Sequence, residues 1–127
     1  MDRVVHFEIP ADDLDRAKAF YGSVFGWGLE DQEMAGGTYT MARTVPTDER
    51  QMPAEPGAIN GALIRRSHET PHPILTIQVD AIDDALARVE AGGGRVVTPR
   101  TEVPGVGWFA YVEDPEGNTL GLWERAF

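Results

Sequence analysis

His6 and Glu8 stand two residues apart in the alternating stretch VVHFEIP, so both side chains project from one face of a single strand. An imidazole takes or gives a proton near neutral pH, and a carboxylate beside it serves as a second base or orients the ring. These two are the candidate catalytic residues. His68 and His72 are the other histidines, four apart, a spacing that suits metal ligation on a helix. Pro71 and Pro73 deny them that helix. His72 falls on the face of Ile74 if the following strand extends backward, which makes a site of His6, Glu8 and His72 one alternative. Asn60 and Gln78 carry amides able to orient a ligand, and Phe109, Tyr111 and Trp123 carry rings able to stack on a planar one or to fill a core. These five are the candidate ligand-binding residues. Arg43, at a strand end, meets an anionic ligand or faces water.

Other chemistries lack their residues. With no cysteine there is no thiolate zinc site, disulfide or cysteine nucleophile. Neither serine, Ser23 nor Ser67, sits in a Gly-x-Ser-x-Gly setting, and the single lysine, Lys18, leaves little room for Schiff-base chemistry. The run Gly92-Gly93-Gly94-Arg95 lacks the lysine and hydroxyl of a phosphate loop and follows a helix instead of opening one.

The elements that must position these residues come as a pattern stated twice. In the first statement, an alternating strand leads through Asp12 and Asp13 into a helix. Leu14, Ala17, Phe20, Tyr21, Val24 and Phe25 form one apolar stripe on that helix, and Gly26 and Gly28 punctuate its end. In the second, ILTIQV precedes a helix carrying Ile82, Leu86 and Val89, and the glycine run ends it. Strands are expected at 28–32, 38–43 and 58–65 in the first half and at 95–98, 107–113 and 118–124 in the second, with a tight turn over DPEGN. Each half reads as strand, helix, three strands: module one over about 3–66 and module two over about 73–125, joined by the linker 67–73, in one domain of residues 1–127. Each helix covers one face of its sheet. His6, Glu8, Ile74, Thr76 and Gln78 belong to the other face, where small-molecule chemistry is expected. Residues 44–57, rich in proline and charge, form a long connection that is either a lid or a solvated loop.

Twenty-one acidic against eleven basic residues give a net charge of −10, a field that repels a phosphate backbone, so no nucleic-acid partner is expected. No apolar run approaches the roughly 20 residues of a membrane span. MDRVVHFEIP has no apolar stretch of the signal-peptide kind. A cytoplasmic protein without membrane contact is expected.

The doubled plan, the segment DDLDRAKAFYGSVFGW, the GGRVV helix exit and the closing VEDPEGNTLGLWE together resemble the vicinal oxygen chelate superfamily, which includes glyoxalase I, bleomycin resistance proteins and extradiol dioxygenases. HFEIP near the start and PGVGWFAYVEDPEGN near the end resemble its glyoxalase-like bacterial proteins. The resemblance implies an α+β fold of two paired βαβββ modules, a U-shaped, incompletely closed β-barrel with a concave ligand cleft, commonly a homodimer. It also implies four metal ligands on the concave face in the metal-dependent members. The first matches His6; the second matches Ile74, which binds no metal; the third falls near Gly61 and the fourth at Gly121. One ligand of four holds no divalent ion against water. Glyoxalase I and ring-cleaving dioxygenase chemistry are therefore not expected, and the resemblance points to the metal-free branch, of which bleomycin-binding proteins are the familiar case. The leading expectation is a metal-independent protein binding an apolar or aromatic small molecule, with no cofactor, a divalent metal being the one left open. It either sequesters its ligand or moves a proton with His6 and Glu8. The alternatives are a lyase or dioxygenase with an atypical metal site including His6, and a ligand-free interaction module.

Overall fold

The computed structural model describes residues 1–34 and 37–126. Its order is β1 (Arg3–Ala11), α1 (Leu14–Phe25), β2 (Gly28–Met34), β3 (Gly37–Arg43), β4 (Gly61–Arg65), β5 (Ile74–Gln78), α2 (Ile82–Ala91), β6 (Arg95–Val103), β7 (Gly107–Glu113) and β8 (Thr119–Arg125). The fold is α+β and consists of two βαβββ modules. One compact unit holds His6–Ser67 and Pro71–Pro73; the other holds Met1–Val5, His68–Thr70 and Ile74–Phe127.

In the first module β4 pairs parallel to β1 (Glu8 with Ala62, Ile9 with Leu63), β3 antiparallel to β4, and β2 antiparallel to β3. Asp13 opens α1: its backbone is extended and its carboxylate accepts the Arg16 amide at 3.0 Å. Gly26 closes the helix in the left-handed region at φ 72°. Only part of the expected stripe is covered. Leu14, Ala17 and Tyr21 are half-buried, but Phe20, Val24 and Phe25 are 51, 55 and 59% exposed, because those three turn off the line facing the sheet. Tyr21 stacks on Trp27 at 5.0 Å and Trp27 meets Phe7 at 5.5 Å, which draws Phe7 to the helix side of β1.

The second module repeats the scheme. β5 pairs parallel to β8 (Thr76 with Gly121, Gln78 with Trp123), β8 antiparallel to β7, and β7 antiparallel to β6. Its core gathers Val79, Ile82, Ala85, Ala110, Val112 and Leu122 between α2 and the sheet, with Ile77, Leu86, Val89, Trp108 and Leu120 against them. Residue 81, before α2, is alanine and offers no side-chain cap; the Ile82 amide donates instead to Glu124 Oε1 of β8 at 2.8 Å.

Three boundaries differ from the sequence expectation by more than one residue. β4 starts at Gly61, not 58, because Asn60 is spent as an anchor. Its buried side-chain oxygen accepts the amides of Thr44 (2.8 Å) and Val45 (3.1 Å), and its nitrogen donates to the Val45 carbonyl at 3.2 Å. β6 runs to Val103, not 98, passing Pro99 by register shifts between Val96 and Thr98 and between Thr98 and Thr101. β2 continues to Met34. The connection 44–57 also has order of its own: the Asp48 carboxylate accepts the amides of Arg50 and Met52, and Thr47 bridges Pro53. Asn60→Ala leaves two amides unpaired, at about 1–3 kcal/mol. The expected result is a lower urea midpoint and faster proteolysis within 44–57.

Candidate functional site

With Phe7 on the helix side, alternation turns His6 and Glu8 to the helix-free face of the first module. Tyr39 of β3 joins them there. Its hydroxyl lies 2.9 Å from Nε2 of His6 and donates to Oε2 of Glu8 at 3.3 Å. β4 runs between β3 and β1, so the tyrosine crosses it. The β4 residue in register with Glu8 is the fully buried Ala62, too small to obstruct. Glu8 is 7% exposed and His6 is half-buried. Burial pulls the His6 imidazole from 6.5 down to about 4, so the ring is neutral at pH 7. It does not hold a proton near neutrality, contrary to what an unperturbed histidine suggests. Tyr39 was not among the residues the sequence singled out; the alternation of TYTMAR was the available signal, since it separates Tyr39 from the buried Thr40.

On the second module the side chains opposite α2 are Thr76, Gln78, Phe109, Tyr111 and Trp123, with Gly121 at the same register level as Thr76 and Tyr111. Their strand neighbours Ile77, Val79, Ala110, Val112 and Leu122 point into the core. Phe109 and Tyr111 meet edge to face at 5.5 Å, and Trp123 is in register with Phe109. Gly107 makes a bed for the indole: a Cβ there would sit 2.9 Å from the Trp123 ring and against the Glu124 carbonyl. All three rings and Gln78 are half-buried, and Thr76 is buried. Four of the five ligand candidates thus share this face. Asn60, in the first module, has its oxygen and nitrogen engaged in anchoring residues 44 and 45.

Two open cavities lie on the helix sides of the sheets. One, of about 540 Å³, is lined by Asp83, Leu86, Pro99, Arg100, Glu102 and Trp108; Arg100 sits 4.6 Å over the Trp108 ring and 3.7 Å from Asp83. The other, of about 390 Å³, lies beside the start of α1. There Lys18 pairs with Asp31 at 3.0 Å, and Thr40 donates to Asp31 at 2.7 Å. Arg43 pairs with Glu30 at 2.7 Å.

The donor set does not fit the metal that the fold implies. Ile74 is an apolar residue 1% exposed. A Cβ at Gly121 would already stand 2.8 Å from Thr76 Oγ1, so the glycine leaves no unfilled cradle for a carboxylate. Gly61, taken above as near the third position, faces the helix side, where a Cβ would meet the Phe7 ring at 2.6 Å. The β4 residue on the face of Glu8 is Ala62, because parallel partners point the same way. Among the described residues no three of histidine, aspartate or glutamate come together to hold an ion; His72 is exposed and completes no such group with His6 and Glu8. No helix among the described residues is long and apolar enough to cross a membrane.

Known proteins share this plan. CFP32 of Mycobacterium tuberculosis, a protein named provisionally as a glyoxylase, is 33% identical over 122 residues, covering 92% of this chain and 43% of its own length. The anthracycline biosynthesis protein DnrV of Streptomyces peucetius is 27% identical over 136 residues, covering 94% of this chain and 46% of its own. The chain therefore spans less than half the length of either relative. Protein BH1468 of Bacillus halodurans superimposes with a TM-score of 0.69 at 13% identity, covering 99% of this chain and 96% of that one, a likeness of fold alone. Residues 3–122 match one family along nearly the whole chain, and the chain belongs to the glyoxalase/bleomycin resistance protein/dioxygenase superfamily.

Proposed function

We propose that the chain is a metal-independent small-molecule-binding protein that takes an apolar or aromatic ligand on the helix-free face of its second module. The observation that carries this reading is the half-buried row of Phe109, Tyr111 and Trp123, its indole seated on Gly107 and the row bordered by Gln78 and Thr76. Aromatic faces set at an angle offer both stacking and edge contacts to a planar body, while the flanking amide and hydroxyl fix its orientation. Fellow superfamily members include bleomycin resistance proteins, and DnrV is named for the biosynthesis of anthracyclines, which are planar polycyclic aromatics. The misfit of the donor set supports the metal-independent part.

The test is a titration of chelator-treated protein with planar aromatic metabolites and antibiotics, followed by tryptophan fluorescence. Saturable quenching that survives chelation is the expected result. Trp123→Ala should weaken it by about 2 kcal/mol, roughly 30-fold, the worth of one buried aromatic contact. Binding or turnover that appears only with added manganese, iron, nickel or zinc, and disappears in His6→Ala, would overturn the proposal in favour of a lyase or dioxygenase, the direction in which the name of CFP32 points.

A further inference from the structure

Five polar side chains are buried among the described residues: Glu8, Thr40, Asn60, Thr70 and Thr76. Four of them have partners. Thr40 donates to Asp31, Asn60 accepts the amides of Thr44 and Val45, Glu8 accepts from Tyr39, and Thr70 is engaged as well. Thr76, 7% exposed, has none among the described residues. A buried hydroxyl that has given up water without gaining a bond opposes folding, so an unmet one calls for an explanation. Its position supplies one. Thr76 is in register with Gly121, and its Oγ1 stands 2.8 Å from where a Cβ on that glycine would be, so the hydroxyl leans over β8 at the foot of the aromatic row. Tyr111 is the partner of Gly121 on the other side. The oxygen is not sealed in, since no side-chain nitrogen or oxygen among the described residues is both enclosed and unpaired. Gln78, two residues on and in register with Trp123, is half-buried on the same face, and its amide makes no hydrogen bond among the described residues.

We propose that the ligand of the aromatic row is a neutral planar ring system carrying a hydroxyl or carbonyl oxygen on one edge, and that Thr76 Oγ1, with the Gln78 amide beside it, reads that oxygen. The proposal rests on the binding reading above and adds the class of ligand to it. A hydroxyl and a primary amide each donate and accept, so they take either oxygen, whereas a bare hydrocarbon leaves both unpaired. Charge is not what they read. Arg95 and Glu113, which alternation and register bring to the same face, are bound to each other at 2.9 Å, and Arg125 is engaged as well. A carboxylate or ammonium group on the ring would find no free counter-ion among them and would lose its water. The net charge of −10 adds a field against an anion. Gly121 makes the arrangement possible, because a side chain there would occupy the space into which the hydroxyl leans.

The experiment is equilibrium dialysis of the whole chelator-treated chain against naphthalene, 1-naphthol and 1-naphthoate, with Thr76→Val beside the unaltered protein. Valine keeps the branched shape and replaces the hydroxyl by a methyl. The unaltered protein should prefer 1-naphthol to both other probes. In Thr76→Val the preference for 1-naphthol over naphthalene should fall about tenfold, the worth of one hydrogen bond. The urea midpoint of that variant should hold or rise, because the hydroxyl removed had no bond within the protein. A lower midpoint would give the hydroxyl a structural partner and overturn the proposal. An undiminished preference in Thr76→Val would overturn it too, leaving water as what meets the hydroxyl, and so would 1-naphthoate bound as tightly as 1-naphthol. Each of these outcomes leaves the binding reading standing; failure of all three probes to bind would sink that reading and this one together. The preference among probes is read on the unaltered chain, so 1-naphthol bound no better than naphthalene decides against the proposal even if Thr76→Val fails to fold.

Discussion

Gly61→Ala is expected to destabilise the protein by about 3 kcal/mol or more, at the upper end of what overpacking costs. The added methyl would lie against the Phe7 carbonyl oxygen and 2.6 Å from the Phe7 ring. Neither obstacle can yield cheaply. The carbonyl belongs to β1, whose following residues are paired in register with β4, and the ring is held by Trp27 at 5.5 Å. Relief requires the two strands to separate or the Phe7–Trp27–Tyr21 stack to rebuild. Gly28→Ala is the comparison, because a Cβ there meets only the Arg43 side chain at an ordinary 3.8 Å. Urea unfolding should give a midpoint far below the unaltered protein's for Gly61→Ala and nearly unchanged for Gly28→Ala. Equal midpoints would mean that β1 and β4 do not approach as described.

Acid should weaken the protein as pH falls below 6.5, through the burial of one imidazole. The His6 imidazole has a pKa of about 4 in the folded chain against 6.5 when exposed. Between those values the unfolded chain binds a proton that the folded chain refuses, so stability is fully present above pH 6.5 and declines as pH falls towards 4. Below 4 the folded ring is protonated too and this loss levels off, at about 3 kcal/mol in the limit. The groups against the ring are Tyr39 and, through it, Glu8. Asp31, Asp48 and Asp114 are held below the ordinary carboxylate range, chiefly by hydrogen bonds from Thr40, from the Met52 amide and from the Asn118 amide respectively. Their contributions are lost at lower pH and do not blur the window. Urea unfolding at several pH values from 7.5 to 4 should show the decline in the unaltered protein and its absence in His6→Gln. Parallel curves would remove His6 as its source.

Those two residues also mark where the sequence was legible. The face of His6 followed from period-two alternation alone, and both helices followed from apolar spacing with acidic starts and glycine exits. The sharing of one face by Phe109, Tyr111, Gln78 and Trp123 was equally readable, because alternation survives wherever a strand is regular. The side of Gly61 was not. A glycine has no side chain to declare its side, and only the parallel register of Glu8 with Ala62 shows that its neighbour faces the site. Tyr39 escaped for a related reason: its partnership spans 31 to 33 residues of chain and passes over another strand. Asn60 looked like a free amide in a ligand cleft until the amides of Thr44 and Val45 came within reach of it. Spacing speaks for local periodicity and is silent on which distant partner claims a polar atom.

The two helices begin differently, and that difference orders events in time. α1 carries its own cap in Asp13, three residues from the amide it serves, so its first turn can form in a chain that has assembled nothing else. α2 borrows its cap from Glu124, forty-two residues downstream on β8. Until that strand docks, the Ile82 amide has only water, and closing so long a loop is slow and entropically opposed. The first half of the chain can thus nucleate early from local signals, while the second must mature as a unit. The last strand of the second module is the one that finishes its helix.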